Sequence, residues 1–195
     1  MVMIKTLKGV QPEDLTFAAY HKALGWFFDF PTKEISLTDL ATNVRISKSS
    51  ASTVVEQLVQ EGFLKKEALG RVWRLSCNQN HVFTISRKIG YNLIRIYESG
   101  IIQEVNKRVP GIKAMILFGS YRRGDDTELS DIDIAVEILG DIETKIEPLG
   151  KLSQLNYRTN VTVNLCIFSR SKVDLNLFSN MVNGIVLQGF LEVKL

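Results

Sequence analysis

The sequence predicts an α+β chain made of two small domains. Three observations carry this. Residues 13–61 space their apolar side chains at helical intervals, with two breaks. Residues 111–136 run as an apolar stretch, a polar loop and an alternating polar/apolar stretch, the pattern of strand, loop and strand. The charge also divides: residues 1–90 hold 12 Lys/Arg against 8 Asp/Glu, a balance of +4, whereas residues 91–195 hold 12 against 13, a balance of −1. The net +3 of the 195-residue chain therefore joins a basic half to a slightly acidic one.

Composition excludes several classes. At 45% hydrophobic and 23% charged residues, the chain can bury a core and is not a disordered or low-complexity polymer. No apolar run reaches the roughly 18–20 residues of a membrane helix, and the first residues lack the apolar stretch of a signal peptide, so no membrane partner is expected. Cys77 and Cys166 are the only cysteines and have no metal-ligand spacing. Two reduced, packing cysteines in a cytoplasmic protein are expected.

In the first half, an aromatic-rich helix (Phe17, Tyr20, Trp26, Phe27, Phe28) is expected over 13–29, stopped by Pro31. A short helix follows, with Ser36 or Thr38 as its N-cap. Arg45-Ile46-Ser47 breaks the pattern. Ser47 then caps a helix from Lys48 to about Glu61, with Ala51, Val54, Val55, Leu58 and Val59 on one face and Gly62 at its end. Phe63-Leu64, Gly70 and Arg71–Leu75 read as a two-stranded hairpin.

Helix, short helix, turn, helix and hairpin is the order of a winged helix-turn-helix. The segment EISLTDLATNVRISKSSASTVVEQLVQEGFLKKEALGRVWRL resembles the DNA-binding domain of the MarR and ArsR regulators. A recognition helix presents its N-terminal residues to base edges. Ser47, Lys48, Ser49, Ser50, Ser52 and Thr53 occupy those positions here. Arg71 and Arg74, with Lys65 and Lys66, flank the hairpin, where a wing meets backbone phosphates. Double-stranded DNA is the expected partner, and a homodimer the expected state. A protein-interaction module and a plain scaffold are the alternatives.

A helix from Val82 to Arg108 is expected to connect the halves, ended by Pro110-Gly111. The domains are then 1–80, a connecting helix 81–110, and 111–195. In the second, Gly111–Phe118 reads as a buried strand. Gly119-Ser120-Tyr121-Arg122-Arg123-Gly124 and a polar loop follow, then Asp131-Ile132-Asp133-Ile134-Ala135-Val136 as a half-buried strand. Asp131 and Asp133, two apart on a strand, share a face and form a hard-oxygen pair suited to Mg²⁺. Gly119 allows close approach of a phosphate, Ser120 adds a hydroxyl, and arginines such as Arg123 pair with phosphate oxygens.

The run GSYRRGDDTELSDIDIAV resembles the GS-x-x-R-G…S-D-I-D-I signature of the DNA polymerase β nucleotidyltransferases, above all the minimal ones. The resemblance implies a mixed α/β fold over about residues 90–190. It also implies triphosphate held by Gly119 and Ser120, Mg²⁺ on Asp131 and Asp133, and Arg123 as the family's arginine. The predicted architecture is thus an N-terminal winged helix-turn-helix plus a C-terminal nucleotidyltransferase domain. Its expected reaction is transfer of a nucleoside monophosphate from an NTP to a hydroxyl on a protein or RNA acceptor.

One position departs from the family. A third carboxylate is expected on a later strand, and Val163-Asn164-Leu165 stands where it would lie. Asn164 has a neutral carbonyl oxygen and cannot accept a proton as a base. Three explanations stay open. Asp125, Asp126 or Asp174 substitutes, although Asp174 is expected in the first turn of a helix capped by Ser171. A substrate or partner completes the site. Or the domain binds nucleotide without transferring it, in a transcriptional regulator. Beyond these elements, Ile142–Tyr157 reads as an amphipathic helix, with Ile146, Leu149, Leu152 and Leu155 inward, and 184–189 as a final strand.

Overall fold

The computed structural model describes residues 15–70 and 72–192. Its elements form an α+β fold around two separate sheets. Helix α1 (Leu15–Asp29) ends as expected: Phe30 N still donates to Trp26 O at 2.9 Å, and Pro31 has no N–H to carry the ladder on. Strand β1 (Ile35–Ser36) leads into α2 (Leu37–Asn43), and Ser36, not Thr38, is the cap, its Oγ accepting from Asp39 N at 3.1 Å. Helix α3 (Lys48–Gln60) is capped by Ser47, whose Oγ accepts from Ser50 N at 3.1 Å. Gly62, at φ +83°, turns the chain into the hairpin of β2 (Leu64–Leu69) and β3 (Val72–Cys77). The sheet order is β1-β3-β2, all antiparallel. Phe27, Leu40, Leu58, Phe63 and Leu75 are fully buried at its centre.

The connecting segment is not one helix. It breaks into α4 (Phe83–Ser86), α5 (Lys88–Glu98) and α6 (Ile101–Arg108). The second break is at Gly100, whose φ of +82° is left-handed, and Ser99 Oγ accepts from Ile101 N at 3.2 Å in place of a helical carbonyl. The apolar period runs straight through this break because both helices lie on the same sheet face.

The larger sheet contains β4 (Ile112–Phe118), β5 (Ile132–Ile138), β6 (Lys145–Leu155), β7 (Arg158–Phe168) and β8 (Ile185–Gly189), with α7 (Gly119–Arg123) after β4 and α8 (Leu175–Val182) before β8. Its order is β6-β7-β5-β4-β8; β5 and β7 are parallel and the other pairs antiparallel. One face packs Met115, Leu117, Ile132, Ile134, Val163 and Leu165 against Ile96, Ile101 and Val105. The opposite face packs Ile116, Ala135, Cys166 and Phe168 against Met181 of α8. Asp133 and Asn164 share the parity of this second face and lie beyond its apolar part.

Two further expectations are corrected. Residues 142–157 are not an amphipathic helix, since β6 occupies most of the segment as an edge strand. Pro148 has no N–H to give a helix and sits beside a ladder irregularity at Pro148/Gly150, the setting in which strands tolerate proline. Ile146 is accordingly 66% exposed rather than inward. The cap of α8 is Asp174, not Ser171: its Oδ1 accepts from Asn176 N at 2.9 Å and Leu177 N at 3.0 Å.

Candidate functional site

The site forms where three strands meet at one end. Phe118, the last residue of β4, is opposite Asp133 of β5, and Asp133 is opposite Asn164 of β7. Gly119 follows directly at φ +72°. A Cβ on it would lie 2.5 Å from Asp133 Oδ2, so the turn requires glycine both for its backbone and for the carboxylate beside it. Ser120 and Tyr121 continue into α7, and Arg123 is in its last turn.

Asp131 is exposed just before β5 and Asp133 is half-buried within it. Burial pushes the Asp133 carboxyl above its usual range and the Asp131 charge adds to this, whereas the Asn164 hydrogen bond and the Arg123 charge act against it. Asn164 Nδ2 donates to Asp133 Oδ1 at 3.1 Å and to Asp131 Oδ2 at 3.5 Å. The structure therefore brings together Gly119, Ser120, Asp131, Asp133 and Asn164. Arg123 stands beside them, paired at 2.9 Å with exposed Asp125.

None of the three acids available as substitutes joins the pair. Asp125 bonds Arg123, and Asp174 caps α8. Asp126 is buried against Lys88 at 3.2 Å, with side-chain exposures of 3% and 2%, and it accepts from Asn92 Nδ2 at 2.7 Å. Among the described residues, no group of three or more His, Cys, Asp or Glu is placed to hold a metal ion. The donor set is two carboxylates and one amide. It fits an oxygen-liganded divalent ion, with one negative charge fewer than three acids would give.

Two supports of the site were not foreseen. Buried Arg158 donates from Nη2 to Ser130 O at 2.6 Å and from Nη1 to Tyr121 Oη, so it ties the residue before Asp131 to the residue after Ser120. Lys88 and Asn92 hold Asp126, and Asn92 also donates to Tyr121 O at 3.1 Å. The available signal was a lysine and an asparagine four apart, next to the apolar stripe of α5.

The basic candidates lie on the other sheet's helices and hairpin. Ser47, Lys48, Ser49 and Thr53 are exposed along the start of α3, with Ser50 and Ser52 partly covered. Lys48, Ser49 and Ser52 line a groove of about 590 Å³ with Ser36, Thr38, Val72 and Trp73. Ser47 and Thr53 are engaged with their own helix, Thr53 Oγ1 donating to Ser49 O at 3.2 Å. Arg74 is held between Glu67 and Glu34. Arg71 lies outside the described residues.

No described helix is long and apolar enough to cross a membrane. A comparison with curated proteins finds no match to the chain. Residues 101–188 match the family model described as Polymerase beta, Nucleotidyltransferase, and by that match the C-terminal half is similar to nucleotidyltransferases of the polymerase β type.

Proposed function

We propose that the chain is a DNA-binding regulator whose C-terminal half binds a nucleoside triphosphate with Mg²⁺. The observation that carries this is Asn164. It stands opposite Asp133 on the neighbouring strand and donates its amide to both aspartates, where a third acid would bind metal and take a proton. Asp131 and Asp133 would hold Mg²⁺, and backbone and hydroxyl groups at Gly119 and Ser120 would cradle phosphates. Arg123 would exchange Asp125 for a phosphate oxygen. When bound, Mg²⁺ neutralises phosphate charge and orients the triphosphate.

The DNA-binding part of the proposal rests on the three helices and antiparallel hairpin of the first half and on the exposed hydroxyls and Lys48 at the start of α3. The proposed division is 1–80 for a winged helix, 81–110 for connecting helices and 111–195 for the nucleotide domain. A homodimer in the cytoplasm completes this proposal, in keeping with two free cysteines, Cys77 and Cys166.

A second function, transfer of a nucleoside monophosphate, is favoured by the shared face of Asp131 and Asp133. In it, a hydroxyl oxygen of a protein or RNA acceptor bonds to the α-phosphorus. The bond from that phosphorus to the oxygen bridging to the β-phosphate breaks, and pyrophosphate leaves. The hydroxyl proton passes to water or to a base on the acceptor, since Asn164 cannot take it.

Calorimetric titration with Mg·ATP, together with incubation with α-labelled NTPs and protein and RNA acceptors, separates the two. Binding without label transfer is expected. Label transfer abolished by Asp131→Ala with Asp133→Ala would establish the transferase instead. Absence of binding would overturn both.

A further inference from the structure

The C-terminal end of α1 belongs to the first half by sequence, but its polar groups are bonded to the second. Asp29, the last residue of α1, is 7% exposed. Its Oδ1 accepts from Tyr91 Oη at 3.0 Å, and its Oδ2 accepts from Asn156 Nδ2 at 3.2 Å and Tyr157 N at 2.9 Å. Asn156 and Tyr157 form the turn between β6 and β7, Asn156 at a left-handed φ of +53°. Asn156 also bonds Tyr91, and Tyr91 packs 3.2 Å from where a Cβ on Gly25 would stand. Asp29 is buried at this junction, and Tyr91, Asn156 and Tyr157 are partly buried around it.

The next residue along the chain is Arg158. Its guanidinium reaches back to Ser130 O and Tyr121 Oη, one residue from Asp131 and one from Ser120. Three residues beyond Asp29, Thr32 Oγ1 donates to Glu128 Oε1, in the same loop that ends at Asp131. That loop has its own internal bonds, Thr127 N to Ser130 Oγ at 2.9 Å and Ser130 N to Thr127 O at 3.1 Å. The end of α1 therefore supports the 127–131 loop at two points, directly through Thr32 and through the turn that presents Arg158. At the same time α1 shares the first core with α3: Leu24 and Phe27 are buried in one cluster with Val54, Val55 and Leu58.

We infer that Arg158 is a positioning residue for the Asp131/Ser120 site, and that Asp29 and Thr32 make the site's loop geometry depend on how α1 is seated in the N-terminal half. The first half is then part of the nucleotide site's support as well as its neighbour. By linkage, a partner bound on α3 that shifts α1 would change nucleotide affinity, and nucleotide would change partner affinity by the same factor. This inference rests on the nucleotide-site assignment for its second readout only.

The test uses the full chain and the variants Arg158→Lys, Asp29→Asn and Thr32→Val. Arg158→Lys keeps the charge and loses the fork that spans two acceptors. Amide hydrogen exchange is measured for residues 127–133 and for α6 as an internal reference. Loss of hydrogen bonds to a charged group corresponds to a rise in loop exchange of about tenfold or more, with α6 unchanged. Mn²⁺ and Mg·ATP affinity, read by calorimetry, is expected to fall about tenfold in Arg158→Lys, the usual scale for groups that orient ligands. Exchange of 127–133 that equals wild type in both Arg158→Lys and Asp29→Asn would overturn the inference. A uniform rise that includes α6 would reduce Arg158 and Asp29 to general stabilisers and would also overturn it. If wild type binds neither probe while loop exchange rises, positioning stands and the nucleotide assignment fails.

Discussion

Asn164 Nδ2 lies 3.1 Å from Asp133 Oδ1, across a parallel strand pair that places the two residues directly opposite each other. Asn164 thus offers the two aspartates a neutral hydrogen-bond donor where a third carboxylate would add a charge. Asn164→Asp is expected to reverse this. Without metal, a third charge beside Asp131 and Asp133 lowers stability, by about 1 kcal/mol for like charges in a partly solvated site. With Mg²⁺ or Mn²⁺ the loss is recovered, because stabilisation by a ligand follows its affinity. Thermal unfolding with and without Mn²⁺ checks it; equal metal-induced shifts in wild type and variant would count against a metal site here.

Gly119→Ala tests the same corner from the strand side. The substituted Cβ would fall 2.5 Å from Asp133 Oδ2 at a φ of +72°. The left-handed backbone alone costs about 1–2 kcal/mol. The clash also displaces the Asp133 carboxylate. A drop in stability together with loss of Mn²⁺ binding is expected. Lost stability with intact metal affinity would mean that Asp133 moves without consequence and is not a ligand.

Much of this corner was legible in the sequence because its logic is local. Two acids two apart on a strand share a face wherever the strand goes, and Gly-Ser after an apolar run marks a turn. Asn164 was equally plain, since it falls at a fixed place in an alternating strand. The supports were not legible. Whether Lys88 or Arg158 is buried depends on an acceptor from elsewhere in the chain, Asp126 for one and Ser130 and Tyr121 for the other. The strand β6 was obscured because Ile146, Leu149, Leu152 and Leu155 recur every three residues, a spacing shared by helices. Pro148 and Gly150 were the better guide.

The buried pair Lys88–Asp126 should be costly to break. Lys88→Met leaves the Asp126 carboxylate in a site where burial already raises its pKa. Removing one partner of a buried pair typically costs about 3–5 kcal/mol. Chemical denaturation should show a loss of that order, part of it regained by adding Asp126→Asn. A double variant no better than the single would mean that Lys88 acts by packing rather than by charge.

Asp29 predicts a pH dependence. Burial outweighs its hydrogen bonds from Tyr157, Tyr91 and Asn156 and the Arg158 charge, pushing the carboxyl from 3.8 up to about 6. The folded state then holds this proton more tightly than the unfolded one. Its contribution to stability is greatest below pH 4 and declines as pH rises toward 6, by about 3 kcal/mol at most from a shift of this size. Asp126 and Asp133 shift in the same direction, so the readout is the difference between wild type and Asp29→Asn. Denaturation between pH 4 and pH 7 should show a shallower decline in the variant. Parallel curves would mean that Asp29 titrates normally.

Charge pairing separates the candidate DNA contacts. Lys48 is exposed at the start of α3 and lines the groove with Ser49 and Ser52, whereas Arg74 is already paired with Glu67 and Glu34. A lysine that neutralises a phosphate releases counterions on binding, so Lys48→Ala should reduce the slope of log affinity against log salt by about 1. Arg74 must leave its glutamates to reach a phosphate, which reduces the net gain, so Arg74→Ala should change both slope and affinity less. Fluorescence anisotropy with duplex DNA over a salt series measures both. If Arg74→Ala has the larger effect, the hairpin rather than α3 carries the phosphate contacts; if affinity is indifferent to salt for the wild type, the first half does not bind DNA through phosphates at all.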